Sequence, residues 1–85
     1  MLTWSVYIIE CDDGSFYTGI STDVHRRFLQ HGAGQGAKYF RARRPLKVIY
    51  AESGHTRSSA SRREAAIKTL SRVEKMELIV SESVQ

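Results

Sequence analysis

The sequence has one cysteine, Cys11, so it can form no intramolecular disulfide, and Cys/His groups at zinc-type spacing are absent. A reducing compartment suits such a chain. No apolar run approaches the length of a membrane span. The first residues, MLTWSVYIIECDD, lack the basic segment and small-residue cleavage site of a secretion signal. A cytoplasmic location with no membrane partner is therefore the expectation. No repeat, low-complexity tract or linker interrupts the chain. Its 85 residues allow one domain, with a core over about residues 4–80 and a short frayed C-terminal tail. A chain of this size buries roughly 60% of its unfolded surface, enough for a small core without staples. The glycine-rich stretch Gly32-Ala33-Gly34-Gln35-Gly36 lacks the Gly-Lys-Ser/Thr ending of a phosphate-cradling loop, which excludes a nucleoside-triphosphate site of that type.

Lys and Arg are absent from the first 25 positions, which carry four acids. Residues 26–63 reverse this with ten Lys or Arg and one acid, for a local charge of +9. The last 22 residues are nearly balanced at −1, and the whole chain has a net charge of +4. Such a block fits either a solvated face or a polyanionic partner, and nucleic acid is modestly favoured.

Trp4 to Cys11 is rich in β-branched and aromatic residues and predicts a strand. Cys11-Asp12-Asp13-Gly14 predicts a tight turn, and Ser15 to Gly19 the returning strand. Ser21, Thr22 and Asp23 offer N-caps for a helix running to about His31 and stopping at Gly32. Ala37 to Arg44 predicts a short helical segment ended by Pro45. Leu46 to Ala51 predicts a third strand, with Ser53-Gly54-His55 breaking the chain after it. A long helix follows from Thr56 or Arg57 to Leu70, and a last one from Arg72 to about Ser81. The order β-β-α-(α)-β-α-α predicts an α+β fold, a small, mostly antiparallel three-stranded sheet flanked by helices.

Helical spacing aligns Val24, Arg27, Phe28 and His31 on one face of the first helix, with Arg27 and His31 at the margin of its buried side. On the long helix Ala60, Ala66, Ile67 and Leu70 form the apolar stripe, and Glu64 lies on its rim. A carboxylate there needs a partner, either Lys68 one turn away or a cation. Arg63 falls near the middle of the same stripe, where it must snorkel or pair. Tyr7 and Tyr17 flank the turn, each on the strand face opposite a large apolar neighbour. Taken singly, each feature is as well explained by packing or pairing. Together they form the kind of set that phosphodiester hydrolysis uses: an oxygen ligand for a hard cation, a guanidinium for developing phosphorane charge, and a group to orient water.

Several ordered motifs carry a resemblance: Ser5-Val6-Tyr7, Tyr17-Thr18-Gly19, the run Ile20 to Arg27, His31, Gly36-Ala37-Lys38-Tyr39, Arg43-Arg44-Pro45 and Glu64. Over about residues 4–80 the sequence resembles the GIY-YIG nuclease superfamily, and within it the small stand-alone bacterial UPF0213 (YhbQ-like) group. The resemblance implies a GIY-YIG endonuclease-like fold and DNA as partner, with RNA left open. It also implies one divalent metal ion, Mg²⁺ or Mn²⁺, held by Glu64. Arg27 would stabilise the pentacovalent phosphate. Tyr7 or Tyr17 would activate or position water, and His31 and Lys38 would support the substrate. Lys38, Arg41, Arg43, Arg44, Arg63 and Lys68 are the candidate nucleic-acid contacts.

The sequence departs from the pattern in having Ser5-Val6 for Gly-Ile, Thr18 for Ile, and no asparagine at all. An asparagine contributes to the site in some larger members. Those members also carry separate DNA-binding domains, so target selection here points to a protein partner or to the DNA structure itself. The implied activity is a metal-dependent DNA endonuclease in repair, recombination or processing of structured DNA. The alternatives are a nucleic-acid-binding module with little or no catalysis and an accessory subunit that needs a partner.

Overall fold

The computed structural model describes residues 3–83. Three strands, β1 (Trp4–Cys11), β2 (Phe16–Ser21) and β3 (Pro45–His55), form one sheet in the order β2-β1-β3. Both pairings are antiparallel. The helices are α1 (Val24–Gly32), α2 (Arg57–Lys68) and α3 (Arg72–Ser83), with a 3₁₀ turn at Lys38–Arg41. The expected tail beyond residue 83 lies outside the described residues. Among those residues no helix is long and apolar enough to cross a membrane.

The central strand explains the layering. β1 places Val6, Tyr7, Ile8 and Ile9 in a fully buried row, so both of its faces are covered. Each aliphatic side chain there stabilises the fold by about 1.5–3 kcal/mol. Val6 and Ile8 pack with Tyr50, Ala60 and Ile67 on the face covered by α2, with Leu78 and Ile79 of α3 at its edge. Tyr7, Ile9 and Cys11 pack with Phe40 on the other face, closed by Val24 and Phe28 of α1 and by Ala37 and Tyr39. The alternation expected around Tyr7 and Tyr17 thus separates two apolar faces, and both tyrosines lie on the more aromatic one.

The hairpin closes through the Cys11 N–H donating to the Ser15 carbonyl and the Gly14 N–H donating to the Cys11 carbonyl, both at 2.9 Å. Only Gly14 takes positive φ, at 81°, so the connection is a three-residue loop ending in a left-handed glycine. Asp23 caps α1 by accepting from the Arg26 N–H at 3.0 Å. Thr56 and Ser59 form a reciprocal capping box on α2.

Two expectations are corrected. The chain does not break at Ser53-Gly54-His55, because β3 continues to His55, which pairs with Trp4. Gly54 adopts φ 84° where the register shifts, so the extra residue is absorbed as a bulge. Ala66 is exposed, because Ala60 and Ile67, seven residues apart, set the buried line of α2 and Ala66 is rotated away from it.

Candidate active site

The register sets Tyr7 opposite Gly19, and Ile9 opposite Tyr17. The Tyr7 ring lies across Gly19, where a Cβ would come within 2.6 Å of the Tyr7 Oη and 3.0 Å of the Tyr17 ring. Glycine is required here by close approach of the two phenols, whose ring centroids are 6.3 Å apart. Their surroundings differ. Tyr7 is 1% exposed, whereas Tyr17 is half-buried and its hydroxyl makes no protein hydrogen bond among the described residues.

His31 lies deeper than helical spacing suggests. It is buried in the aromatic face, not at its margin. Its Nε2 is 2.9 Å from the Tyr7 Oη, and its Nδ1 accepts from the Ala37 N–H at 3.2 Å. Phe40 covers the ring at 4.4 Å between centroids, and Tyr17 lies edge-on at 5.3 Å. Burial, then the nearby Arg27 charge, pushes the imidazole pKa down to about 4, so His31 is neutral near pH 7.

Arg27 of α1 and Glu64 of α2 both influence the two phenols electrostatically, with opposite signs. Burial, followed by the neighbouring Tyr17, pushes the Tyr7 pKa up to about 12, with Glu64 adding to the rise and Arg27 opposing it. Burial and then Glu64 raise Tyr17, again against Arg27. Neither charged group is tightly held. The Arg27 guanidinium donates to Gln30 Oε1 at 3.2 Å, and Glu64 Oε2 is 3.5 Å from Lys68 Nζ. Among the described residues there is no cluster of three or more His, Cys, Asp or Glu able to cage an ion. A single carboxylate fits a hard divalent cation that keeps waters and takes substrate oxygens, and does not fit a zinc-type centre.

The remaining candidates divide by their partners. Lys38, Arg41 and Arg44 have exposed side chains. Arg43 instead pairs with Asp13 at 2.8 Å and stacks over Tyr39 at 4.3 Å. Arg63 donates to Glu52 at 2.9 Å, which accounts for its place in the stripe, and Lys68 pairs with Glu64. Sequence reasoning gave no role to Phe40, Tyr39 or the Gly36–Ala37 turn, which complete the walls around His31 and Tyr17. The aromatic pair Tyr39-Phe40, isolated in a polar and basic segment, was the available signal.

A GIY-YIG catalytic domain matches residues 3–77. The UPF0213 protein SSP2268 of Staphylococcus saprophyticus is 49% identical over 74 residues, covering 87% of this chain and 90% of that protein. The UPF0213 protein VNG_2274C of Halobacterium salinarum is 54% identical over 70 residues, covering 82% and 91% respectively. Among solved structures, the solution NMR structure of the UPF0213 protein BH0048 of Bacillus halodurans matches with TM-score 0.58 and 44% identity, covering 92% of this chain and 83% of that one. That of EF2693 from E. faecalis matches with TM-score 0.66 and 37% identity, covering 98% and 88%. With a catalytic-domain match over most of its length and relatives at about half identity over more than four-fifths of the chain, the chain belongs to the UPF0213 group of the GIY-YIG nuclease superfamily.

Proposed function

We propose that the protein is a metal-dependent endonuclease that hydrolyses DNA phosphodiester bonds by in-line attack of water. The observation that carries this reading is the seating of Tyr7 and Tyr17 side by side over Gly19, with ring centroids 6.3 Å apart and the Tyr7 hydroxyl 2.9 Å from Nε2 of the buried His31 of α1. Glu64 would hold a Mg²⁺ or Mn²⁺ ion, which when bound would supply positive charge at a non-bridging phosphate oxygen. Arg27 would stabilise charge developing on the pentacovalent phosphate. Tyr17, the less buried phenol and the one whose hydroxyl has no protein partner among the described residues, would orient the attacking water and take its proton when ionised. Tyr7, buried and bonded to His31, would hold this arrangement in place. Lys38, Arg41 and Arg44 would contact flanking phosphates and need no sequence readout.

The test is nicking of supercoiled and branched DNA with Mg²⁺ or Mn²⁺, comparing wild type with Glu64→Ala and Arg27→Ala. Cleavage by wild type and its loss in both folded variants is the expected result. Equal cleavage by wild type and Glu64→Ala would trace the activity to a contaminant. The Glu64–Lys68 pair, which already supplies a cation to the carboxylate, favours one competing reading, a binding module that needs no metal. That module would bind DNA with a salt-dependent affinity and give no product with any divalent ion.

A further inference from the structure

We infer that the Gly36–Ala37 turn is a positioning element that fixes His31 in its Nε2–H tautomer, making His31 a hydrogen-bond donor to Tyr7 and excluding it as the acceptor of the Tyr7 proton. The inference deepens the proposed site and rests on that reading only for its catalytic consequence.

A backbone N–H can only donate, so His31 Nδ1, which accepts from Ala37 at 3.2 Å, carries a lone pair and no proton. A neutral imidazole with a bare Nδ1 has its proton on Nε2. That nitrogen is 2.9 Å from the Tyr7 Oη, so the phenol oxygen accepts the bond. The ring cannot easily turn over to exchange its nitrogens. Phe40 lies against it at 4.4 Å, Tyr17 abuts it edge-on at 5.3 Å, and the residue is 1% exposed. The third wall is Gly36, where a Cβ would lie 1.9 Å from Nδ1 and 2.7 Å from Cε1. Gly36 is not in the left-handed region, so glycine is needed there for space, not for backbone conformation. Any side chain at 36 would push the ring off the Ala37 N–H and away from Tyr7.

A positioning role follows for three groups: Gly36 by its lack of a side chain, the Ala37 amide by its donor, and His31 by passing that constraint to Tyr7. With Nε2 already protonated, a Tyr7 proton has no route to His31. His31 instead favours negative charge on the Tyr7 oxygen and sets the ring against Gly19 and Tyr17.

The experiment is long-range ¹H–¹⁵N NMR of the full chain with labelled histidine, which assigns the tautomer directly and needs no activity. The expected result is the Nε2–H pattern for His31 between about pH 6 and 8. An Nδ1–H pattern or an imidazolium would overturn the inference. Gly36→Ala is expected to remove the pattern, and retention of the Nε2–H tautomer with an unmoved ring would also overturn it. Should Gly36→Ala fail to fold, His31→Gln and His31→Asn keep the test open. Gln places an N–H where Nε2 stood, and Asn places one only at the Nδ1 position. Cleavage with Gln is expected to exceed that with Asn by roughly tenfold or more, in kcat with KM for DNA unchanged. Equal kcat for the two would count against donation to Tyr7. Absence of cleavage by wild type would remove the nuclease reading and leave the NMR result to decide the tautomer by itself.

Discussion

Two constellations in this protein are built from the same four residue types. One comprises Tyr50, Glu52, His55 and Arg63, and the other Tyr7 with Tyr17, Glu64, His31 and Arg27. In the first, every polar group is matched. The Tyr50 hydroxyl donates to Glu52 Oε2, His55 Nε2 and Arg63 Nε both sit 2.9 Å from Glu52 Oε1, and His55 Nδ1 is 2.9 Å from Ser59 Oγ. Burial pushes the Glu52 carboxyl up, but the bonds from Tyr50, His55 and Arg63 outweigh it and hold it below its usual range. In the second, the Glu64 carboxylate has one long pair, to Lys68 at 3.5 Å, the Arg27 guanidinium donates to Gln30 at 3.2 Å, and the Tyr17 hydroxyl has no protein partner among the described residues. A closed set uses its charges to tie β3 to α2. An open set keeps them available for something that arrives. Composition is therefore a poor guide to a site, and unspent hydrogen-bonding and charge capacity is a better one.

Removing each glutamate in turn should separate the two sets most clearly. Glu64→Ala is expected to lower cleavage at least 100-fold. Its cost in stability should stay under about 0.5 kcal/mol, because its one charged partner is Lys68 at 3.5 Å and an i,i+4 pair is worth little. Glu52→Ala should do the reverse. It leaves Arg63, His55 and the Tyr50 hydroxyl without their shared acceptor and should cost about 2–3 kcal/mol in urea unfolding. Cleavage per folded molecule should be unchanged. Similar losses of stability in the two variants would erase the distinction.

Acid separates the constellations next. The folded state holds His31 neutral with a pKa near 4 against 6.5 for a free imidazole, so the unfolded chain binds more protons between those values. Stability should therefore fall as pH drops from about 6.5 towards 4, by up to roughly 3 kcal/mol. Glu52 has a depressed carboxyl pKa, so its contribution is present above the ordinary value of 4.5 and is lost as pH falls below it. Thermal melts across this range should show the upper limb flattened in His31→Gln and the lower limb flattened in Glu52→Gln. An upper limb that survives His31→Gln would mean that another group carries it.

Much of the scaffold was legible because local chemistry and tertiary demand agree. The alternation in Trp4–Cys11, the Asp-Gly turn, the Asp23 cap and the Thr56 start of α2 each have a short-range cause, and each lies where that cause puts it. What was not legible depends on residues far apart in the chain. Helical spacing put His31 on the face with Phe28 but could not say that the Gly36–Ala37 turn would fold over it. Arg63 looked out of place in a buried stripe because its partner, Glu52, comes from β3, beyond a bulge that the sequence presented as a break. Glu64 and Glu52 could not be ranked from sequence, since the difference between them is how many neighbours already answer each charge.

The same logic gives the smallest expected effect, between two adjacent arginines. Arg43 is held by Asp13 at the hairpin tip and stacked on Tyr39, while the Arg44 backbone exchanges hydrogen bonds with Asp12 and its side chain is exposed. A phosphate that recruits Arg43 must first displace a carboxylate, and one that recruits Arg44 displaces only water and counterions. Arg44→Ala should therefore lower the slope of log K against log salt for DNA binding by about one. Arg43→Ala should change that slope less and instead loosen the tether between hairpin and 3₁₀ turn, seen as faster amide exchange at Asp13 and Tyr39. If both variants shift the slope equally, Arg43 gives up Asp13 on binding, and the division between committed and available charge holds only for the free protein.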